Sequence, residues 1–225
     1  MTQKVVAIDG PSGAGKSTLA RALASKFGFL YVDTGAIYRT LGIAALRAGV
    51  SSKDEAAVAG ILPGISIELQ YDERGVQRMM LGGEDVSDEI RTPQSSIYAS
   101  NIAAMAPVRA FLLSMQRDIA RRYDLVMDGR DIGSVVFPEA GLKIYLTAAV
   151  EMRARRRLFE LREKGEAVTF ESVLRDMKYR DEQDENRTVS PLVRAHDAVL
   201  ADTTELSFEE SLELLSNIVK ERFGI

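Results

Sequence analysis

Lys4-Val5-Val6-Ala7-Ile8-Asp9-Gly10-Pro11-Ser12-Gly13-Ala14-Gly15-Lys16-Ser17-Thr18-Leu19 decides the fold, because an apolar run, a glycine-rich turn and a helix-forming sequence follow one another without interruption. Residues Gly10 to Ser17 fit the G-x4-G-K-[ST] pattern in the setting that the pattern requires, after a strand and before a helix. Glycines let the backbone curl so that successive N–H groups point inward, and the helix N-terminus adds its partial positive charge. The loop Gly10, Pro11, Ser12, Gly13, Ala14, Gly15, Lys16, Ser17 and Thr18 is therefore expected to cradle a nucleotide triphosphate. Lys16 would reach its β- and γ-phosphates, and the Ser17 hydroxyl would ligate Mg²⁺.

Outward from this stretch, further apolar runs at Phe29 to Val32, Leu125 to Met127, Leu142 to Leu146 and Ala198 to Leu200 read as buried parallel strands, as does Val5 to Ile8. Helical patterns lie between them, the βαβ rhythm of a doubly wound sheet. Ligands of such sheets sit at the carboxyl ends of the strands, where Asp9, Asp33 and Asp128 stand. Ile65 to Gln70 and Val76 to Leu81 alternate around Asp72-Glu73-Arg74-Gly75 and read as an inserted hairpin. From Val150 to about Arg187 the chain is charged and helical, with Gly165 as a break, which suits a pair of helices closing over a site.

Composition narrows the partners. The 225 residues suffice for one substantial α/β core, and 46% hydrophobic content supports a packed interior. A net charge of −4 argues against a general nucleic-acid binder. Arginine far outnumbers lysine and falls in tight groups, and its planar fork suits bidentate phosphate binding. No cysteine is present, which removes disulfides, thiolate zinc sites and a cysteine nucleophile. With no basic-then-apolar leader and no apolar run approaching a membrane span, the expected setting is the cytoplasm.

Three further segments supply residues suited to an acceptor. Arg180, Asp184 and Arg187 are spaced i, i+4 and i+7 and are expected on one helix face, which reads either as a binding face or as a solvated salt-bridge face. Leu125-Val126-Met127-Asp128-Gly129-Arg130-Asp131 ends a strand in an acid that could hold Mg²⁺ or its waters, followed by an opposite-charge pair. The same residues also fit an ordinary Asp-Gly turn. In Asp33-Thr34-Gly35-Ala36-Ile37-Tyr38-Arg39 the Thr34 hydroxyl is either a ligand contact or an N-cap, and Arg39 is the better functional candidate. His196 reads as structural or exposed.

Taken together and in order along nearly the whole chain, Gly10 to Ser17, Asp33 to Arg39, Asp128 to Asp131 and Arg180 to Arg187 resemble the bacterial-type cytidylate kinases. The resemblance implies an α/β P-loop kinase core with a five-stranded parallel sheet flanked by helices. It also implies an inserted monophosphate-binding lobe containing the β-hairpin, and a helical lid. In one domain, the core would comprise 1–33, 107–150 and 190–225, the lobe 34–106 and the lid 151–189. By similarity Ser100, Arg109 and Asp131 would read cytosine, Arg180 and Asp184 the sugar, and Arg39, Arg130 and Arg187 the α-phosphate. Arg153, Arg156 and Arg157 match an arginine-rich lid that clamps the transferring phosphate, though such a cluster also suits a solvated surface. Asp202-Thr203-Thr204 would border the adenine, and Thr34 stands where the family often has serine.

The implied reaction is phosphoryl transfer from ATP to CMP and dCMP with Mg²⁺, in a monomer that acts on small molecules and binds neither nucleic acid nor membrane. Lys16, Arg130, Arg157 and Arg187 would carry the charge stabilisation. Cytosine presents an N4 donor beside N3 and O2 acceptors, an edge that a carboxylate and an arginine together match. Uracil would turn an acceptor toward Asp131. Another P-loop small-molecule kinase, acting on UMP, AMP or shikimate, is the nearest alternative. A nucleotide-dependent switch is the other, and the absence of an [NT]-K-x-D guanine-reading motif weighs against it.

Overall fold

The computed structural model describes residues 3–163 and 165–225. In chain order the elements begin with β1 (Val5–Asp9), α1 (Lys16–Phe27), β2 (Leu30–Asp33), α2 (Thr34–Arg47) and α3 (Glu55–Ile61). They continue with β3 (Ile67–Tyr71), β4 (Gln77–Leu81), β5 (Glu84–Asp85), α4 (Pro93–Ile102), α5 (Ala106–Ala120) and β6 (Leu125–Gly129). The chain closes with β7 (Leu142–Thr147), α6 (Val150–Glu163), α7 (Phe170–Asn186), β8 (Val199–Asp202) and α8 (Phe208–Phe223). Two compact units divide these elements, one of residues 1–31 and 122–225 and the other of residues 32–121.

The larger unit is built on the parallel five-stranded sheet, in the order β2-β6-β1-β7-β8. Each of the five apolar runs read from the sequence forms one of its strands, with ends displaced by a residue or two. β1 lies between β6 and β7, with Asp9 opposite Gly129 on one side and Tyr145 on the other. It is buried along its whole length, as an apolar run without alternation requires. Val6, Ile8, Val126, Ile144 and Leu146 meet Leu19 and Leu23 of α1 and Leu215 and Val219 of α8 in one core. Local chemistry fixes the helix starts: Thr169 with Ser172 forms a capping box at α7, and Ser207 with Glu210 forms another at α8. His196 is exposed, with a side chain 95% open to solvent.

The smaller unit contains the expected hairpin, closed by Asp72, whose carboxylate accepts from Arg74 N and Val76 N at 2.9 Å each. The sheet goes one strand further than the alternation suggested. A Gly82-Gly83 turn returns the chain as β5, which pairs antiparallel with β4. Two residues are too few for any periodic signal. Met79 of β4 is fully buried, as are Ile37 and Leu41 of α2, Ile102 of α4 and Leu112 of α5, and α2 packs against β3, β4 and α4.

One alternative is excluded and one expectation is corrected. Thr34 is the first residue of α2 and not its N-cap; Asp33 caps the helix, accepting from Ala36 N at 2.9 Å. A carboxylate two bonds from the backbone reaches the first-turn N–H groups and outcompetes the hydroxyl that follows it. Arg187 does not share the α7 helix face with Arg180 and Asp184, because α7 ends at Asn186 and Arg187 is extended, with φ −63° and ψ 139°.

The turn after β1 is the tightest point of the larger unit. Gly10 has φ +151°, and a Cβ there would lie 1.9 Å from the Leu146 carbonyl oxygen of β7. Gly10→Ala must therefore break the β1–β7 register or the turn, at an expected cost of more than about 3 kcal/mol, the range of severe core disruption. Urea denaturation of the wild-type and variant chains measures that difference directly.

Candidate active site

Within the larger unit, the loop after β1 leads into α1 through Gly15, which is left-handed (φ +85°) and supplies no side-chain cap. The first-turn N–H groups of α1 are thus left without the side-chain acceptor that caps most helices, the arrangement in which an anion serves as the cap. Lys16 is buried, and its ammonium donates to the Pro11 carbonyl at 2.7 Å, folding the side chain back over the loop. Burial first, and then the Arg130 charge, push its pKa well below the ordinary lysine range, against the opposing pull of Asp128, Asp184 and Asp9.

Asp128 is buried at the end of β6 and accepts from Ser17 Oγ at 2.8 Å and from Tyr31 Oη at 2.9 Å. A hydroxyl and a carboxylate at hydrogen-bond distance beside a phosphate loop are hard oxygen donors of the kind that Mg²⁺ takes, and the ion keeps waters and phosphate oxygens for its other positions. These two residues fit the metal that the motif implies. No cluster of three or more His, Cys, Asp or Glu suited to a metal occurs among the described residues.

The Asp128-Gly129-Arg130-Asp131 turn is held from below by Asp9. Its carboxylate accepts from Ile132 N and Gly133 N, each at 2.7 Å, at the start of a single π-helical turn over Ile132–Val136. Burial pushes the Asp9 carboxyl up to about 6, against the lowering effect of those two hydrogen bonds. Arg130 and Asp131 are then oriented by the end of α7. Arg130 Nε donates to Asp184 Oδ2 at 2.6 Å, and Arg187 Nη2 donates to Asp131 Oδ1 at 3.4 Å. Arg187 also donates to the Ser190 carbonyl. Two residues singled out after β6 are thus paired, crosswise, with two singled out near α7.

Arg180 forms no hydrogen bond or ion pair among the described residues, and its side chain lies at an exposed edge of α7. Neighbouring protein still crowds it: desolvation, then the Arg157 charge, then that of Arg130, lower its pKa, while Asp176 and Asp184 raise it. On α6, Arg157 donates to Glu160 at 2.9 Å on the surface. Arg156 donates to the Thr203 carbonyl at 2.7 Å, and Arg153 is buried and bonded to Ser12 and Asp181. Thr204 bonds through its hydroxyl to Asp202 at 2.6 Å, which ties the turn after β8.

In the smaller unit Asp33 is the organising group. It caps α2 and accepts from Arg39 Nη2 at 3.1 Å, while its backbone N–H donates to Gln77 Oε1 at 2.8 Å. Arg39 Nε is buried without a hydrogen-bond partner among the described residues, so this guanidinium keeps an unsatisfied donor there. Arg109 is buried, donates to the Ala103 carbonyl at 3.0 Å and stands over the Tyr38 ring, 5.9 Å from its centroid. Thr34 is buried, and Ser100 is exposed on α4.

Asp9, Tyr31 and Asp181 escaped attention as site residues. Asp9 was visible as an acid at a strand end, but its partners lie 123 and 124 residues away in the chain. Tyr31 read only as one more residue of a buried strand.

Comparison with known proteins identifies the family. The family profile described as "Cytidylate kinase" matches residues 6–221. A cytidylate kinase of Geobacter sulfurreducens is 47% identical over 218 residues, covering 97% of this chain and 93% of its own. One from Geobacter sp. strain M21 is 46% identical, with 98% and 94% covered. A crystal structure of an uncharacterized protein from Eubacterium ventriosum shares the fold alone, with TM-score 0.54 and 11% identity over 97% of this chain and 99% of that one. With a profile spanning nearly its whole length, and relatives this similar over the same residues, the chain belongs to the cytidylate kinase family.

Proposed function

We propose that this protein transfers the γ-phosphoryl group of ATP to CMP, and also to dCMP, giving ADP and CDP or dCDP. The observation that carries the reading is the crosswise pairing of Arg130 with Asp184 and of Asp131 with Arg187 in a member of this family, in the same unit as a loop suited to phosphate. A switch protein has no use for an acceptor site, and a shikimate-type acceptor offers no base edge for Asp131.

Phosphoryl transfer asks the protein for alignment and charge compensation more than for covalent chemistry. A CMP phosphate oxygen attacks the γ-phosphorus in line. The bond to the β,γ-bridging oxygen breaks, and its electron pair leaves with ADP. The attacking oxygen is already largely deprotonated at neutral pH, since the second pKa of a phosphate monoester is about 6, so no general base is assigned. Residues Gly10 to Thr18 hold the donor, with Lys16 on the β- and γ-phosphates. Ser17 and Asp128 would hold Mg²⁺, which would supply charge neutralisation at the phosphates.

In the larger unit, Arg130 and Arg187 take the acceptor α-phosphate, Arg180 and Asp184 its sugar, and Asp131 the cytosine edge; in the smaller unit, Arg39 is assigned to phosphate, Arg109 and Ser100 to cytosine, and the Thr34 hydroxyl to a further contact. The unpartnered Arg39 Nε supports its part in this assignment, because a phosphate oxygen satisfies a buried donor that the protein leaves open. Arg156 and Arg157, on the first lid helix, compensate charge on the moving phosphoryl group. Closure of that lid would exclude water and limit wasteful ATP hydrolysis.

The depressed Lys16 pKa gives the assignment a proton signature. Below its lowered pKa the lysine is charged in the free protein, and above it the lysine is neutral. A bound polyphosphate favours the charged form and raises the pKa, so ATP binding above the lowered value must take up protons. Calorimetric ATP titrations at pH 8 in buffers of different ionisation enthalpy are expected to show net proton uptake in the wild type and less in Lys16→Ala. The same variant is expected to lose at least about 100-fold in kcat, as removal of a charge-stabilising donor does; near-normal turnover would exclude this role.

The acceptor is settled by a coupled ADP-release assay with CMP, dCMP, UMP, AMP, dTMP and shikimate. CMP is expected among the best substrates, with UMP at least about 100-fold poorer in kcat/KM from the mispaired base edge. A clear preference for any other acceptor in the panel would refute the assignment.

A further inference from the structure

Ser12, in the phosphate loop, has both polar groups of its backbone engaged by side chains of α6 and α7. Its N–H donates to Asp181 Oδ1 at 3.3 Å, and its carbonyl oxygen accepts from Arg153 Nη1 at 2.9 Å. The same Arg153 nitrogen donates to Asp181 Oδ2 at 2.7 Å, and Arg153 Nε is anchored on the Ala148 carbonyl at 2.8 Å. Ser12, Arg153 and Asp181 thus form a closed ring of hydrogen bonds. The two charged side chains are largely withdrawn from water, 7% and 14% exposed. Next to the ring, Gly13 lies so close to α7 that a Cβ there would stand 2.8 Å from Met177 Cε and 3.3 Å from Arg153 Cβ.

This ring addresses a difficulty intrinsic to the loop. A glycine-rich segment samples many backbone conformations, and only those whose N–H groups converge bind phosphate, so apparent affinity falls in proportion to the competent fraction. An acid on the N–H and a guanidinium on the C=O of one residue fix the orientation of that part of the loop. Because the ion pair is largely buried, each partner holds the other in place, and loss of either strands a charge. The acid lies on α7 between Arg180 and Asp184, the residues read as facing the acceptor sugar.

We propose that Asp181 is a positioning residue for the phosphoryl donor: with Arg153 it clamps Ser12 and keeps the loop in its phosphate-competent form, so that α7 supports the donor loop as well as the acceptor contacts. Arg153 then acts on ATP through Ser12 and not by touching the transferred phosphate. The inference rests on reading Gly10 to Ser17 as the ATP loop. Binding of ATP without any acceptor tests it separately from the identity of the acceptor.

Calorimetric titration of the full-length wild type, Asp181→Ala, Asp181→Asn, Arg153→Met and the Asp181→Ala/Arg153→Met double variant with ATP and Mg²⁺ decides the matter. Asp181→Ala is expected to weaken ATP binding about 5- to 20-fold through the lowered competent fraction, while CMP binding alone changes less than about 2-fold. Asp181→Asn, which keeps an acceptor for Ser12 N–H, falls between wild type and Asp181→Ala. If the two side chains act as one clamp, the double variant is within about 2-fold of Arg153→Met alone. Amide exchange at Ser12 and Gly13 in the unliganded protein is expected to accelerate in Asp181→Ala, a change that a merely destabilised α7 would not confine to the loop. Unchanged or tighter ATP binding overturns the proposal, and so does equal weakening of ATP and CMP with a lowered Tm. Should Asp181→Ala fail to fold, Asp181→Asn decides by the same criteria. A wild type that binds ATP but does not phosphorylate CMP refutes the acceptor assignment alone and leaves the clamp to be judged by the ATP measurements.

Discussion

The joint between β1 and α1 has to hold positive potential in a place shielded from water, and the surrounding structure is shaped by that requirement. Lys16 is buried there, and the first amides of α1 have no side-chain acceptor because Gly15 occupies the cap position. An isolated charge in such a position would be neutralised or expelled. Nearby groups prevent this only in part: Asp128, Asp184 and Asp9 favour the ammonium, while burial and Arg130 oppose it. The result is a lysine whose pKa is held well below its ordinary range.

The same economy governs the arginines and acids around the joint. Arg130, Asp131, Asp184 and Arg187 are paired with one another, so no bare charge is held apart there, and under the proposed function a ligand would exchange one set of partners for another. Pairing also fixes their directions, which under the proposed function would lower the ordering cost of binding. Asp9 holds the adjoining turn, since its carboxylate accepts from Ile132 N and Gly133 N at 2.7 Å each, just after Arg130 and Asp131. Tyr31 does the same for Asp128, and Asp181 for Ser12.

Much of this was legible in the sequence because the signals were local. The five apolar runs became the five strands of the parallel sheet, and Asp72 to Gly75 closed a hairpin as its turn chemistry required. The reading failed where short-range competition decided the outcome. Asp33, not Thr34, caps α2, and β5 is too short to carry a period. Arg187 has helical spacing from Arg180 and Asp184, yet the helix stops one residue before it and its guanidinium is held by Asp131 and Ser190.

By itself, the sequence determined the strand–loop–helix joint, the parallel sheet and the residue types of the site, since apolar runs, glycine spacing and helix caps act over a few neighbouring residues. Only the tertiary structure decided which charge meets which. Ser17 with Asp128, Arg130 with Asp184, Asp9 with Ile132 and Asp181 with Ser12 are separated by 54 to 169 residues along the chain. No pattern in the sequence specifies those pairs, because they arise where parallel strands end side by side and a later helix packs against the loop. Arg153, Arg156 and Arg157 of α6 show it most plainly: close together in sequence, they part in the fold, Arg153 to a buried ion pair, Arg156 to a backbone carbonyl and Arg157 to the surface.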